Sequence, residues 1–339
     1  MTVSEHPDVR RARTTVARWR DEAAPAALAT ALEDLATAAT EGGDLGTAAA
    51  SLEEAAGLWD VTGDHDRHGH TLLLAAATQR LRGDLGAARH DLERALAVPD
   101  LPDAVLGALE MERAEQDLAG GEVEAARQRF GAVVAKLAGS EDALVLARVL
   151  QRRAAAAVAA EAWRDAARDL MDAEAIFLDH GHRAEGEAAA LGAAVSVAHV
   201  DPAVGEEVWA GVVAQAPADG AVAAQRGIVG GRVAMLAGDP ALALRRFDDA
   251  RAGALDAGDP IAYLMAASEA ARAAESLDDD VTAYERLATA WASIGDLLGA
   301  EAGRQLTRPL LEQLRDRLGP GRFDAARAAY EAARRHRAG

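Results

Sequence analysis

GDLGAARHDLERAL (residues 83–96) almost repeats GDLGTAAASLEEAA (residues 43–56), forty positions earlier in the chain. In each copy a small residue, Ala48 or Ala88, stands five positions after a glycine, and a leucine follows four positions later. A small residue, a larger one at i+4 and a small one at i+7 lie on one face of an α-helix. The preceding Gly-Asp suits a turn between two helices, because glycine adopts positive φ at a helix end and aspartate caps the next helix.

The pattern returns six more times, at intervals of 38 to 43 residues. Self-similarity at such a period is the signature of a repeat architecture. Each copy is typical of two antiparallel helices that cannot bury their apolar faces alone, so neighbouring copies must stack. The sequence therefore predicts an all-α solenoid of about eight helix-turn-helix repeats. The small residues that anchor them are Ala48, Ala88, Ala126, Ala166, Gly205, Ala243, Ala283 and Ala326.

The half-repeat G-D-x-x-x-A-x-x-x-(L/F/Y/W)-x-x-A resembles the tetratricopeptide repeat family in its longer, roughly forty-residue form. The first-helix half of that family's motif, with its Trp-Leu-Gly and Tyr, is degraded here. The resemblance implies one right-handed superhelix of about sixteen helices over residues 24–337, preceded by a capping helix or arm over residues 1–23. The seventh repeat aligns on Ala283 or on Asp280, and we expect Pro309 to kink or split the first helix of the eighth.

The composition favours helices and limits the partners. Half the residues are apolar but only 4% are aromatic, and alanine, the strongest helix former, dominates. A net charge of −19 opposes general binding to nucleic acids or to anionic membranes, since both need a positive field. Of the 36 basic residues only Lys136 is a lysine, which we attribute to a high-GC bacterial genome. With no apolar run of signal-peptide or membrane-span length, the sequence predicts a soluble cytoplasmic protein.

Two stretches resemble chemical sites. GDHDRHGH (residues 63–70) offers histidines and carboxylates, but we interpret it as a polar turn in which Asp64 or Asp66 caps the next helix. GIVGGR (residues 227–232) follows no strand, as a phosphate loop would, and falls inside a first helix where glycine allows close packing. The sequence has no P-loop motif, no nucleophile motif and no cysteine. We therefore predict no catalytic residue, no metal site and no cofactor.

The resemblance also implies where a ligand binds. In the family the first helix of each repeat lines a concave groove, here at positions 18, 15, 11, 8 and 7 residues before each anchor. The face has about one net positive charge, which suits a mixed or mildly acidic protein or peptide. An alternative is that its arginines and glutamates pair between neighbouring repeats. The predicted contacts are His70, Arg80, Glu115, Arg148, Gln151, Glu187, Gln225, Arg232, Arg272 and Arg308, with Glu33, Glu41, Arg315 and either Glu275 or Glu269 at further groove positions.

These observations favour a non-catalytic scaffold or adaptor that binds a protein or peptide. The alternative is a regulatory receptor for a small signalling peptide, which would act on a separate effector because the repeats occupy nearly the whole chain. A groove clamp for chaperone tails is disfavoured, because the sequence has no asparagine and its one lysine falls late in a second helix. An enzyme would need a clustered acid and base, which the sequence does not place. The oligomeric state is not predicted.

Overall fold

The structure is a computed structural model that describes residues 7–22, 24–139, 142–215 and 218–338. Within these ranges it contains seventeen α-helices and no strand. The helices are α1 (Pro7–Asp21), α2 (Pro25–Glu41), α3 (Leu45–Thr62), α4 (His65–Leu81), α5 (Leu85–Leu96), α6 (Asp103–Ala119), α7 (Val123–Leu137), α8 (Ala143–Ala159), α9 (Trp163–Asp179), α10 (Arg183–Ala198), α11 (Pro202–Ala214), α12 (Gly220–Leu236), α13 (Pro240–Asp256), α14 (Pro260–Glu275), α15 (Asp280–Leu298), α16 (Ala300–Leu318) and α17 (Pro320–Ala338).

The chain divides into two compact units, Met1–Glu161 (unit 1) and Ala162–Gly339 (unit 2). Within each unit consecutive helices pack on each other, as α2 does on α3 and α12 on α13, and their short turns make them antiparallel. Helices two apart also touch, for example α4 with α6 in unit 1 and α12 with α14 in unit 2. We call the even-numbered helices A helices and the odd-numbered ones from α3 onward B helices, so that one A and one B helix make a repeat. The predicted all-α helix-turn-helix repeat is confirmed.

The turns between A and B helices are built as the sequence predicts. Gly43 and Gly238 adopt φ of +76° and +74°, the left-handed region that ends a helix. The next residues, Asp44 and Asp239, accept hydrogen bonds from the backbone N–H three positions later, at 3.0 and 2.8 Å. Each aspartate therefore caps the following B helix.

The cap also decides the register of the seventh repeat. Asp279 caps α15 and stands four residues before Ala283, the same offset that separates Asp44 from Ala48. Ala283 is completely buried. The repeat therefore aligns on Ala283 rather than on Asp280.

The anchor positions form the core of each repeat because their small side chains let helices approach closely. All eight anchors are buried. Four residues further on, the larger side chains of Leu52, Phe130 and Phe247 are buried as well and fill the space between three helices. Sequence spacing therefore specifies packing in both units.

The three glycines of GIVGGR lie inside α12 and bring it close to its neighbours. A Cβ on Gly231 would lie 2.3 Å from a ring carbon of Phe247, and one on Gly230 would lie 2.5 Å from the indole of Trp209. A Cβ on Gly227 would also be too close, at 2.8 Å from an alanine Cβ of α13. The predicted packing role of these glycines is confirmed.

Two features near the chain ends complete the description. Val9 and Val16 of α1 are buried against the first repeat, whereas residues 1–6 and 23 of the predicted arm lie outside the described residues. Of the two outcomes predicted for Pro309, the split is wrong, since α16 continues through it from Ala300 to Leu318. Pro309 is exposed, so water can hydrogen-bond the carbonyl that its missing N–H leaves unpaired.

No helix in the described ranges is long and apolar enough to cross a membrane.

Candidate functional site

The predicted groove residues all lie on A helices. In unit 1 these are His70 and Arg80 on α4, Glu115 on α6, and Arg148 and Gln151 on α8. In unit 2 they are Glu187 on α10, Gln225 and Arg232 on α12, Arg272 on α14 and Arg308 on α16. Their side chains differ in what they contact, and the contacts separate them into two sets.

In unit 1 a chain of charged groups ties successive A helices together. Arg80 donates two hydrogen bonds to Glu112 on the next A helix, at 2.9 and 3.1 Å. Glu112 is buried and also accepts from Gln116 Nε2 at 3.2 Å. Glu115 lies 3.3 Å from the guanidinium of Arg152 on α8 and 4.0 Å from that of Arg80. Arg80 and Glu115 therefore connect α4, α6 and α8.

Glu33 plays the same part at the start of unit 1. Its carboxylate accepts hydrogen bonds from Trp59 Nε1 at 2.9 Å, from Arg67 at 2.9 Å and from the hydroxyl of Thr71 at 2.5 Å. These donors lie on α3 and α4. One carboxylate thus joins three helices.

Unit 2 repeats this arrangement with different residues. Arg226 on α12 is buried and donates to both oxygens of Glu187 on α10, at 2.6 and 2.9 Å. The hydrogen bond to Glu187 raises the pKa of Arg226, which keeps its charge. Arg232 donates to Glu269 on α14 at 3.1 and 3.2 Å. The structure shows the alternative interpretation, pairing between neighbouring repeats, for Arg80, Glu115, Glu187 and Arg232.

The other six predicted residues are more available. His70, Arg148 and Gln225 are exposed and Gln151 is half-buried, and none of the four has a hydrogen bond or ion pair with another described residue. Arg308 is exposed, and among the described residues it pairs only within its own helix, with Glu312 at 2.8 Å. Among the described residues, none of these five forms a hydrogen bond or ion pair with another predicted residue.

Arg272 on α14 and Arg232 on α12 meet at one carboxylate. The guanidinium of Arg272 lies 3.8 Å from Glu269, the carboxylate that Arg232 also contacts. Two positive groups therefore share one negative group, and 67% of the Arg272 side chain stays exposed. The cluster carries one net positive charge on a chain of −19.

Exposed apolar side chains accompany this cluster on the same two helices. Val222 on α12 is 41% exposed, and Ile261 and Met265 on α14 are 72% and 42% exposed. Spacings of three and four residues place Ile261 and Met265 on the face of α14 that carries Arg272, and on α12 Gln225 lies three residues after Val222 and two turns before Arg232. We call this surface the α12–α14 face and define it as Val222, Gln225, Arg232, Ile261, Met265, Glu269 and Arg272.

The histidine-rich stretch at residues 63–70 forms the start of α4. Asp64 caps the helix by accepting from the backbone N–H of Arg67 at 3.1 Å, as predicted. His68 Nδ1 lies 3.4 Å from Asp60, and burial lowers the pKa of the His68 imidazole. Among the described residues no three His, Asp or Glu side chains are placed to hold a metal ion together.

Comparison with known proteins shows the fold. Neither a protein-family model nor a curated protein matches the chain in sequence. A tetratricopeptide repeat protein from Parabacteroides merdae superposes with a TM-score of 0.55 at 14% identity, over 84% of this chain and 98% of that one. The apo form of the quorum sensor NprR from B. thuringiensis superposes with a TM-score of 0.52 at 13% identity, over 95% of this chain and 97% of that one. The chain therefore has a tetratricopeptide-like helical-repeat fold.

Proposed function

We propose that the chain is a non-catalytic scaffold or adaptor that binds a protein or peptide on the α12–α14 face. The observation that carries the proposal is the sharing of Glu269 by Arg232 and Arg272, on the same face of α14 as exposed Ile261 and Met265. Interaction surfaces are enriched in arginine, methionine and aromatic residues, and exposed apolar groups rimmed by polar ones mark such surfaces. A fold shared with other repeat proteins does not by itself supply this function.

The charge of the face favours a ligand with a carboxylate beside apolar groups. Arg272 can form a bidentate hydrogen bond with such a carboxylate, because Glu269 holds it only at 3.8 Å. The rest of the chain is strongly acidic, so its negative charge repels a ligand that has many carboxylates. A mixed or mildly acidic peptide fits both conditions. Gln225 is a proposed contact within the face, and His70, Arg148, Gln151 and Arg308 remain proposed contacts elsewhere on the A helices.

The proposal includes a cytoplasmic location and excludes nucleic acids and membranes as partners. The net charge of −19 supports both exclusions, because each surface attracts positive rather than negative proteins. The paired arginines of the A helices, such as Arg80 and Arg226, do not alter this balance, since glutamates of neighbouring helices neutralise their charges.

A pull-down from native cell extract tests the proposal. The bait is the wild-type chain, run beside Arg232→Glu/Arg272→Glu and beside Arg164→Glu/Arg245→Glu as a matched control. The control makes the same charge change at two exposed arginines on the B helices α9 and α13. Circular dichroism and thermal melting must first show that both variants are folded.

A partner retained by wild type and control but lost by the face variant supports the proposal. Ile261→Ser/Met265→Ser is expected to weaken the same partner without altering the charge. Equal recovery by all the variants would overturn the proposal, since the site would then lie elsewhere. If wild type retains no partner and binds no peptide from an arrayed library, the scaffold function itself is wrong.

A further inference from the structure

Unit 2 contains a pocket of about 320 Å³ that lies apart from the α12–α14 face. It opens between α9, α10, α11 and α12, on the side of α12 that contacts α10 rather than α14. The Glu187–Arg226 pair forms one wall, and Leu178 and Val212 contribute apolar surface. Ligand pockets range from about 300 to 1,000 Å³, so this one suits a molecule of few heavy atoms.

Two charged side chains in this pocket lack partners. Glu174 on α9 is half-buried and Arg183 on α10 is exposed, and neither forms a hydrogen bond or ion pair with another described residue. Burial raises the pKa of the Glu174 carboxyl above its ordinary 4.5, with no opposing contribution from a donor or cation. Burying a charge without a partner costs stability, and native structures usually avoid it. The two groups belong to adjacent helices and line one cavity, yet they do not pair with each other.

We infer that this pocket binds a small zwitterion, with its ammonium on Glu174 and its carboxylate on Arg183. The four charges that line the pocket cancel, with Glu174 and Glu187 against Arg183 and Arg226, and a neutral ligand with separated charges matches that balance. The apolar part of the ligand packs against Leu178 and Val212. Free α-amino acids and dipeptides share this chemistry, and both have an ammonium, a carboxylate and a side chain. The inference concerns a different place and a different class of ligand from the proposed function.

Binding is measured by thermal shift and then by isothermal titration calorimetry, with amino acids that have aliphatic side chains and with their dipeptides. Concentrations up to about 10 mM nearly saturate a site whose Kd is about 1 mM. Each ligand is compared with its N-acetylated and its C-amidated form. We expect either block to weaken binding about tenfold or more, because each removes a hydrogen bond between charged groups. The preferred length distinguishes amino acids from dipeptides.

Two variants show which protein group reads which end of the ligand. In Glu174→Gln acetylation of the ligand is expected to cause little further loss, while amidation still does. In Arg183→Gln the reverse is expected. Asp179→Asn on α9 and Arg164→Gln are matched controls, since both residues are exposed, outside the pocket and changed by one charge.

Absence of binding by every amino acid and dipeptide up to about 10 mM overturns the inference. The inference is also overturned if acetylation and amidation weaken binding equally in both Glu174→Gln and Arg183→Gln. Glu174 and Arg183 would then not each bind one end of the ligand. Arg232→Glu/Arg272→Glu is expected to keep full affinity for the zwitterion. Failure of the protein-binding proposal and failure of this inference are thus separate results.

Discussion

Gly231 offers the sharpest test of how α12 is positioned, because the same substitution has opposite effects at two helical glycines. In Gly231→Ala the new Cβ would lie 2.3, 2.5 and 2.6 Å from three ring carbons of Phe247, whose side chain is fully buried. Carbon atoms normally pack at about 3.5–4.0 Å, so the ring or the helix must move. Apart from the backbone of its own helix, no atom of the described residues lies within 4 Å of such a Cβ at Gly211 on α11, which serves as the matched control in the same unit.

The expected magnitudes follow from two opposing effects. Replacing a glycine in a helix with alanine stabilises the helix by about 1 kcal/mol. Inserting a methyl group into a packed core costs about 1–3 kcal/mol, and contacts this short call for the upper end of that range. We therefore expect Gly231→Ala to destabilise unit 2 by about 1–2 kcal/mol. Gly211→Ala should stabilise it by about 0.5–1 kcal/mol.

Urea denaturation followed by far-UV circular dichroism measures both changes. The midpoint is expected to fall for Gly231→Ala and to rise for Gly211→Ala relative to wild type. Equal stabilisation by both substitutions would refute the reasoning, because α12 would then not approach Phe247 as closely as described. A loss of helix content in Gly231→Ala before denaturant is added would show a larger rearrangement than the one expected here.

Three further predictions concern the Arg–Glu pairs between A helices, the helix caps and the pocket of unit 2. Glu112→Ala leaves Arg80 with only Glu115 at 4.0 Å and should cost about 2–4 kcal/mol in urea denaturation, whereas Arg80→Leu/Glu112→Met should cost less because no charge stays unpaired. Asp239→Ala removes a helix cap and should lower stability by about 1 kcal/mol, while the unaltered neighbouring turn at Gly238 keeps its conformation. Because the pKa of Glu174 is raised above 4.5 in the folded chain, its ionisation lowers stability as the pH rises past 4.5. Glu174→Gln should therefore be more stable than wild type at neutral pH but not below pH 4.5. An equal difference in stability at the two pH values would contradict a raised pKa of Glu174 in the folded chain.

The repeats could be predicted from sequence because small residues recur where helices touch. Ala48 and Ala243 are buried for the same reason, since each sits where an A and a B helix approach most closely. The turns were equally readable, because glycine and aspartate have few alternatives at a left-handed residue followed by a cap. The split predicted at Pro309 does not occur, because an exposed position tolerates the lost hydrogen bond within a helix.

The candidate site was harder to predict because pairing depends on residues at two repeats. Glu112 and Arg226 lie outside the groove positions implied by the family, yet they bind Arg80 and Glu187. A search for opposite charges about one repeat apart would have found them, at separations of 32 and 39 residues. No spacing rule could place Glu174 and Arg183 in one pocket, since that follows from the angles between α9, α10 and α12.

The charged contacts between neighbouring A helices bear on how the chain folds while it is synthesised. The contacts that Glu33, Glu112, Glu115, Glu187 and Glu269 make with other helices of their unit join residues 26 to 39 positions apart, from Glu33 with Trp59 to Glu187 with Arg226. Contacts this near in sequence give a low contact order, which is associated with fast folding. At about 5–20 residues per second, a ribosome adds forty residues in roughly 2–8 s. Each A helix therefore meets its partner within seconds of emerging, and each finished repeat becomes the surface on which the next one folds.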